Sequence, residues 1–462
     1  MHSSSAPVRD ARDSPDSQPT GVVELREDVP LKASTLGGSS ARCCAGGPRF
    51  ILACFAALSA AITLALLTQI YYGDYEAEVV PHGSVSSSAA ACSRAGTDAL
   101  LAGGRALDAA LAAALCLAVV APHRTSLDAS GSLLYWEYRQ ARSQPPLLAE
   151  WGGAGRRAAG AGAGEAPRAV AALAALHARL GALPWSRLLQ PAIDLARDGF
   201  PVSEGLTSVE TTTPESRPGA IRRDPALARY LQSLQRNTSA ELAAAWGGAA
   251  REAQARPVRG AGWRALLPRA GPAAALRAAL AAPAGDTDLV INELQRYAEA
   301  SNGTWPPSSV ATGLAVVDRL DTYVALVTGL STPFGSGPPT AEGWIRDEPS
   351  ESLDLAPAII TEDFVCGTRY VVGAESWAAL AQAAAALVHG GAPGGVERAR
   401  LALQPRGGGA LAGEAARPAP AAGAAPPYNA TPPYAAVNVV QQRGDALLSH
   451  ADSRGGGLAS RF

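Results

Sequence analysis

Three short patterns in this sequence carry residue types that could bind a metal ion or a nucleotide. Asp286-Thr287-Asp288 is an acidic D-x-D pattern of the kind found in glycosyltransferases, but nothing around it forms a nucleotide-binding unit. The stretch from Gly153 to Ala158 mimics a dinucleotide-binding loop, yet no apolar strand of useful length precedes it. His177 and His389 lie on helical stretches without partners at metal-ligand spacing. The sequence therefore predicts structural histidines, no metal and no cofactor.

Modification sites are the second group of chemically informative residues. The chain has only five asparagines, and three of them begin Asn-x-Ser/Thr sequons: Asn237, Asn302 and Asn429. Such sequons become glycosylated when they reach the lumen of the secretory pathway. Their number predicts that this part of the chain is lumenal or extracellular.

The segment from Phe50 to Tyr72 contains no charged residue and is a candidate membrane span. As a helix it would be about 34 Å long, which is enough to cross the hydrocarbon core of a bilayer. A soluble core helix rarely runs so far without a charge, and a cleaved signal peptide has a shorter apolar region that starts nearer the N-terminus. We therefore predict a transmembrane signal-anchor helix at 50–72.

The flanks of this segment predict its orientation. Basic residues precede it, whereas acidic residues follow it (Lys32, Arg42 and Arg49; Asp74, Glu76 and Glu78). The positive-inside rule then places the N-terminus in the cytoplasm, as in a type II membrane protein. Residues 1–49 contain few apolar residues and are typical of a disordered tail. Cys43 and Cys44 are either palmitoylation sites or ordinary reduced thiols.

The remaining chain is rich in Ala, Gly and Pro, and its formal net charge of −2 gives no reason to expect a nucleic-acid partner. Residues 73–90 are interpreted as a serine-containing stem. Helices are predicted at 93–120, 169–180, 185–198 and 377–389, and strands at 133–138, 314–318, 323–327, 358–360, 368–372 and, as the last strand, 436–440. Residues 254–286 show only weak patterning, and 406–433 are predicted to be a loop. Strands and helices occur in runs, which favours stacked layers.

Two ordered blocks carry a resemblance to a known family. The first runs from Cys92 through Ala99-Leu100 and Gly103-Gly104 to Cys116, and continues to Pro122-His123. The second runs from Leu183-Pro184-Trp185 to Asp198-Gly199-Phe200-Pro201. Both resemble the heavy chain of the γ-glutamyltransferases, also called glutathione hydrolases. Weaker similarity follows in the same order at 293–297, 315–336 and 452–456.

The resemblance implies an α+β, four-layer αββα N-terminal-nucleophile hydrolase fold for residues 91–462. In that family a precursor cleaves itself ahead of a threonine, whose new α-amine then serves as the base for its own hydroxyl. The two subunits form a heterodimer that needs no cofactor. It hydrolyses glutathione and other γ-glutamyl compounds, or passes the γ-glutamyl group to amino-acid or peptide acceptors. The resemblance also implies a Cys92–Cys116 disulfide, which leaves Cys366 as the odd lumenal thiol.

The nucleophile position is where the sequence departs from the family. Alignment without a gap puts Ala311 at the nucleophile, Thr312 beside it and Gly313 at the family's histidine. Either the site is inactive, or the register has moved by one residue and Thr312 is the nucleophile, with cleavage between 311 and 312. Within a strand, such a shift moves a side chain to the other face of the sheet.

Three further family positions carry different residues here. The arginine that pairs with the glutamyl α-carboxylate falls on Trp151, with Arg156 and Arg157 nearby. The Gly-Gly pair of the oxyanion site falls on Ser376-Trp377, and the paired serines fall on Leu353-Asp354. Two functional classes therefore stay open beside the glycosyltransferase alternative: a γ-glutamyl hydrolase and transferase that uses Thr312, or a catalytically degenerate membrane-bound ectodomain that serves binding or assembly.

Overall fold

The computed structural model describes residues 47–72, 82–141, 143–153, 166–210, 217–247, 250–268, 271–281, 288–301, 309–338, 340–364, 367–398, 404–406, 410–412 and 434–462. The chain forms two compact units, 1–75 and 76–462. The first contains helix α1 (Gly47–Tyr72), which coincides with the predicted anchor. Its stretch Arg49–Thr68 has a mean hydropathy of 2.5, so it is long and apolar enough to cross a membrane.

The second unit combines helices with mainly antiparallel strands. Its helices are α2 (Ala90–Leu101), α3 (Ala106–Val120), α4 (Tyr138–Ala141), α5 (Arg168–Leu180), α6 (Trp185–Asp198), α7 (Glu204–Val209), α8 (Pro225–Gln235), α9 (Ser239–Trp246), α10 (Ala273–Ala281), α11 (Asp288–Ala300), α12 (Trp377–Gly390) and α13 (Gly395–Arg398). The predicted helices coincide with α2–α3, α5, α6 and α12. The break between α2 and α3 falls at Gly103-Gly104, where Gly103 has a φ of 89°.

The strands described in the second unit form two large sheets and two small, two-stranded sheets. They are β1 (Ser84–Ser87), β2 (Ser130–Glu137), β3 (Leu147–Trp151), β4 (Phe200–Pro201), β5 (Ile221–Arg222), β6 (Arg251–Gln254), β7 (Arg256–Gly260), β8 (Trp263–Leu267), β9 (Val310–Val317), β10 (Thr322–Leu330), β11 (Ala356–Glu362), β12 (Arg369–Ala374), β13 (Gln404–Arg406), β14 (Ala410–Ala412), β15 (Val437–Arg443), β16 (Ala446–Ala451) and β17 (Leu458–Arg461). The first large sheet has the order β17-β1-β9-β10-β2-β3-β6, and the second large sheet has the order β16-β15-β12-β11-β8-β7.

Three apolar clusters account for most of the core. One joins the first sheet to helices α2, α3, α5, α6 and α8, and includes Leu314 and Val316 of β9. A second joins the other sheet to α10, α11 and α12. A third contains side chains from both sheets, among them Ala315, Val317 and Val371. Alternate residues of β9 thus face different clusters, as the two-residue period of a strand requires.

The segment interpreted as a stem is partly a core strand, which corrects the sequence prediction. Ser84–Ser87 forms β1, between β17 and β9, and its four residues are buried. Every buried serine hydroxyl needs a partner, and here each has one: Ser86 donates to the His450 carbonyl at 2.7 Å, and Ser87 pairs with Ser93 at 2.8 Å. The second unit is therefore folded at least from residue 82.

Other differences from the sequence prediction lie where local patterning is weak. The 254–286 region contains β7, β8 and α10, although it shows little periodicity. Two strands, β16 and β17, follow the one that was expected to be the last. Within the predicted 406–433 loop, Ala410–Ala412 pairs with Gln404–Arg406.

Candidate functional site

Thr312 is the third residue of β9. The β-branched and apolar residues of Val310–Val317 favour a buried strand. The Thr312 side chain is 1% exposed, and no hydrogen-bond partner for its hydroxyl lies among the described residues. A buried hydroxyl without a partner carries a desolvation cost, so this arrangement calls for an explanation. Ala311 and Gly313 flank it and add little bulk.

The side chain of Thr312 belongs to the helix-facing side of its sheet. It has the same strand parity as Leu314 and Val316, which pack with the helices. Opposite it on β10 lies Thr328, whose hydroxyl is 2.9 Å from that of Thr125. Ala311, the nucleophile position in the gap-free alignment, packs instead with Val327 and Leu355. The two registers therefore place the reacting side chain on opposite faces.

Side chains, rather than a strand, bind the backbone carbonyls around Thr312. Strand β1 pairs with β9 only from Leu314 onward, because the chain turns into α2 after Ser88. In the vacated place Arg124 Nη1 donates to the Ala311 carbonyl oxygen at 3.2 Å. Asn438 Nδ2 donates to the Gly313 carbonyl oxygen at 2.8 Å. The carbonyl of the Ala311–Thr312 peptide bond is thus hydrogen-bonded by a cation.

Arg124 is held by a buried ion pair. Its guanidinium Nη1 contacts Glu375 Oε2, and the two side chains are 6% and 1% exposed. Arg124 Nη2 also donates to the Tyr434 carbonyl at 3.0 Å. Burial raises the pKa of Glu375, whereas the Arg124 charge, the Ala436 amide and the Ser88 hydroxyl act in the opposite direction. The Glu375 carboxylate and the Tyr434 carbonyl therefore hold the Arg124 guanidinium in one position.

The residues that replace the family's Gly-Gly pair form the start of α12. Ser376 caps this helix by accepting a hydrogen bond from the Ala379 amide at 3.1 Å. The Trp377 amide donates to Asp354 Oδ1 at 3.0 Å, so Asp354 already occupies it. Burial raises the pKa of Asp354 to about 7, and this amide offsets only part of the effect. The Trp377 amide would have to leave Asp354 before it could stabilise an oxyanion.

Trp151 takes the place of the expected substrate arginine at the end of β3. Its indole is 4% exposed and donates Nε1–H to the Ala129 carbonyl at 3.1 Å. A Cβ on Gly131 would lie only 2.1 Å from this ring, so the ring fills the space above the glycine. Arg156 and Arg157 lie outside the described residues. The indole offers apolar surface and no positive charge at this position.

His123 is a buried group that the sequence prediction did not single out. Both of its ring nitrogens lack hydrogen-bond partners among the described residues. Burial, together with the charges of Arg124 and Arg222, lowers its pKa to about 3, so the ring is neutral. The ring lies beside Phe334, at a centroid distance of 6.4 Å. Only its position after Pro122 in the first family-like block could have drawn attention to it.

The remaining predicted residues are distributed over the second unit. Cys92 and Cys116 form a disulfide between α2 and α3, with a Cα–Cα distance of 5.3 Å. Asn237 is exposed ahead of α9. Asn302, Asn429 and Cys366 lie outside the described residues, as does Asp286-Thr287. His177 is a structural histidine: its Nδ1 lies 2.7 Å from Ser239 Oγ and its Nε2 lies 2.9 Å from the Leu183 carbonyl.

Comparisons with known proteins relate much of this chain to one family. Residues 92–244 match the family model described as Gamma-glutamyltranspeptidase. Glutathione hydrolase 7 from Bos taurus is 32% identical over 237 residues, covering 46% of this chain and 35% of the relative. Glutathione hydrolase 6 from Bos taurus is 43% identical over 131 residues, covering 28% and 25%. Glutathione hydrolase 6 from Mus musculus is 31% identical over 294 residues, covering 56% of each chain.

A solved structure supports the fold on its own. The cephalosporin acylase from Bacillus halodurans superposes with a TM-score of 0.60 at 17% identity, over 82% of this chain and 96% of the acylase. The TM-score indicates a common fold, whereas 17% identity carries no information about substrate. The matched segments span between a quarter and about half of the curated relatives' length.

Proposed function

Because this chain belongs to the γ-glutamyltransferase family, we propose that it is a membrane-anchored enzyme for γ-glutamyl compounds. It hydrolyses glutathione and related compounds, or transfers their γ-glutamyl group to amino-acid or peptide acceptors, through an acyl-enzyme on Thr312. The observation that carries the proposal is the Thr312 hydroxyl: it is buried, lacks a partner among the described residues and follows a peptide bond flanked by small residues.

The proposed activation is a self-cleavage between Ala311 and Thr312. The threonine hydroxyl attacks the preceding carbonyl, an ester replaces the amide, and water releases the α-amine of Thr312. A threonine whose nitrogen is in an amide has no built-in base, so cleavage creates the base that the hydroxyl needs. The products are an N-terminal subunit, 1–311, and a C-terminal subunit, 312–462, which together form the heterodimer.

We further propose the four-layer αββα arrangement for the ectodomain. Its support is the placement of the three apolar clusters, one between the sheets and one between each sheet and its helices. The proposed organisation is a cytoplasmic tail at 1–49, a signal anchor at 50–72 and an ectodomain up to 462, with a stem that ends before β1. The basic residues that precede the apolar segment 50–72 support a type II orientation with a lumenal or extracellular C-terminal part.

The position of Trp151 favours a second candidate function. Its ring packs over Gly131 and is buried, and the sequence resemblance aligns it with the arginine that binds the glutamyl α-carboxylate. Loss of a charge-assisted pair at this position weakens the binding of a γ-glutamyl group. The second candidate is therefore a catalytically degenerate ectodomain that retains the fold for binding or assembly at the membrane.

N-terminal sequencing separates the two candidates. The full-length protein is purified in detergent beside a Thr312→Ala variant, and γ-glutamyl release from glutathione is measured for both. The enzyme proposal expects a new chain that begins at Thr312 in the wild type, together with activity that the variant lacks. A single uncleaved chain with release no faster than that of Thr312→Ala would reject the enzyme and leave the binding ectodomain.

A further inference from the structure

We infer that Arg124 is a catalytic residue for the cleavage of the Ala311–Thr312 bond, and that Glu375 positions it. The inference rests on the proposed function, because it concerns the activation of the same threonine. Arg124 Nη1 already donates to the Ala311 carbonyl oxygen at 3.2 Å, and this oxygen becomes the oxyanion when Thr312 attacks. A fixed cation at that oxygen stabilises charge that develops only during the reaction.

The local fold explains why a side chain reaches this carbonyl. In a continuous sheet, a neighbouring strand would donate a backbone N–H to the Ala311 oxygen. Here β1 ends at Ser87, opposite Leu314, and leaves the carbonyls of Ala311 and Gly313 open on that side. Arg124 binds the first carbonyl and Asn438 binds the second. Side chains therefore bind the carbonyls of the Ala311–Thr312 and Gly313–Leu314 peptide bonds.

The reaction balances without an added oxidant or reductant. The Thr312 Oγ–C bond to Ala311 forms, and the negative charge moves to the Ala311 oxygen beside Arg124. The C–N bond then breaks, and the hydroxyl proton ends on the Thr312 nitrogen. Water hydrolyses the ester and regenerates the hydroxyl, with a carboxylate on Ala311. A charge-assisted hydrogen bond strengthens as the carbonyl oxygen becomes an alkoxide, so the guanidinium lowers the barrier of the first step.

Glu375 and Tyr434 restrict where the guanidinium lies. The carboxylate of Glu375 and the Tyr434 carbonyl accept from Nη1 and Nη2, respectively, while Ser88 and the Ala436 amide hold the carboxylate. A planar guanidinium fixed at two nitrogens loses little freedom when the oxyanion forms. Arg124 thus has the preorganised geometry that oxyanion stabilisation requires.

A purely structural ion pair is the competing explanation, and the chain contains a matched example. Arg168 and Asp128 form another buried pair, with side chains that are 4% and 6% exposed and an Nε–Oδ1 distance of 2.9 Å. The guanidinium of Arg168 donates to the backbone carbonyls of Asp128 and Asp347, whereas that of Arg124 donates to the Ala311 carbonyl. Removal of one partner from a buried pair leaves an unpaired charge and is strongly destabilising. Both partners are therefore neutralised together in each test.

The experiment compares the self-cleavage rates of two double variants in membranes. One is Arg124→Met with Glu375→Gln, and the control is Arg168→Met with Asp128→Asn, each in the full-length chain. Newly made protein is pulse-labelled, and the fragment that begins at Thr312 is followed on denaturing gels. We expect the first variant to cleave about 100-fold more slowly than the wild type or slower still, and the control to stay within about threefold. Melting temperatures identify any general loss of structure.

Each outcome decides the inference. A wild type that never cleaves rejects the proposed function and the role of Arg124 with it. Cleavage of the first variant at the rate of the control rejects the role of Arg124 alone. Arg124→Lys with Glu375 retained adds a test of charge: we expect it to cleave at least tenfold faster than the neutral double variant, and equal rates would overturn electrostatic stabilisation.

Discussion

A Cβ atom added to Gly313 would lie 2.4 Å from the carbonyl oxygen of Gly373. The backbones of β9 and β12, which belong to different sheets, therefore approach each other without an intervening side chain. In the reverse direction, a Cβ on Gly373 would lie 2.5 Å from the Leu314 nitrogen. This contact joins the two sheets immediately beside Thr312.

Gly313→Ala should therefore destabilise the protein. A methyl group at this point forces the sheets apart, and overpacking of this kind costs roughly 1–3 kcal/mol or more. Gly394→Ala is the matched control, because its added Cβ meets no atom within 4 Å. Denaturant unfolding of both variants measures the difference. Equal stability of the two variants would show that the sheets can separate at little cost.

The Cys92–Cys116 disulfide should stabilise the packing of helix α2 against helix α3. It closes a loop with a sequence separation of 24 residues, for which the chain-entropy model gives roughly 3 kcal/mol. The double change Cys92→Ser and Cys116→Ser should lower the free energy of unfolding by about that amount. Peptide mapping under non-reducing conditions tests the pairing itself, because alkylation of both thiols in the native protein would exclude the bond.

Asn237 should carry an N-linked glycan if the C-terminal part is lumenal. The residue is exposed, and its sequon ends at Ser239. Asn237→Gln should raise gel mobility by one glycan step, and N-glycosidase should remove the difference between variant and wild type. Ser239→Thr preserves the sequon and serves as the control. Glycosylation at Asn237 would be contradicted if Asn237→Gln and the wild type had the same mobility before and after digestion with N-glycosidase.

Asp354 should make stability depend on pH. Burial raises its pKa from 3.8 to about 7, so the folded state favours the protonated carboxyl. This contribution is present below the unfolded value and is lost as pH rises towards 7, because the folded state binds the extra proton over that range. Relative to Asp354→Asn, the wild type should lose on the order of 4 kcal/mol between pH 4 and pH 7.

Unfolding free energies at several pH values measure this effect. Asp354→Asn keeps an oxygen for the Trp377 amide, so the helix start retains its hydrogen bond. Glu299→Gln, a change at an exposed carboxyl, controls for loss of a surface charge. A difference between wild type and Asp354→Asn that stays constant with pH would mean that the pKa of Asp354 is the same in the folded and unfolded protein.

Hydrophobic patterning predicted the helices and strands that bury mainly apolar side chains. Helix α12 and the strand pair β9–β10 were recognisable because their runs of Ala, Val and Leu are the side chains that are buried in the core. Strand β1 was not, because its burial depends on serine hydroxyls that find partners on distant strands. Strands β6 and β7 carry exposed arginines and a proline, which weaken the alternation of a strand.

The candidate site was predictable only where a motif marked it. The resemblance located Ala311, Thr312 and Trp151 on the chain, but it could not say which face of β9 each residue occupies. The partners of the Ala311 and Gly313 carbonyls come from sequence separations of 187 and 125 residues. No local periodicity encodes a contact across such distances, so Arg124 and Asn438 emerged only from the three-dimensional arrangement.

The strand order of the first sheet has a consequence for any cleaved form of the protein. Strands β1 and β2 come from the part before the proposed cleavage site, and β10 and β17 come from the part after it. Strand β9 contains the site near its start, and β1 lies between β17 and β9. Strands from the two products would therefore alternate within one sheet. The products could separate only if the hydrogen bonds of that sheet were broken. Cleavage at this bond would therefore leave the C-terminal product attached to the N-terminal one.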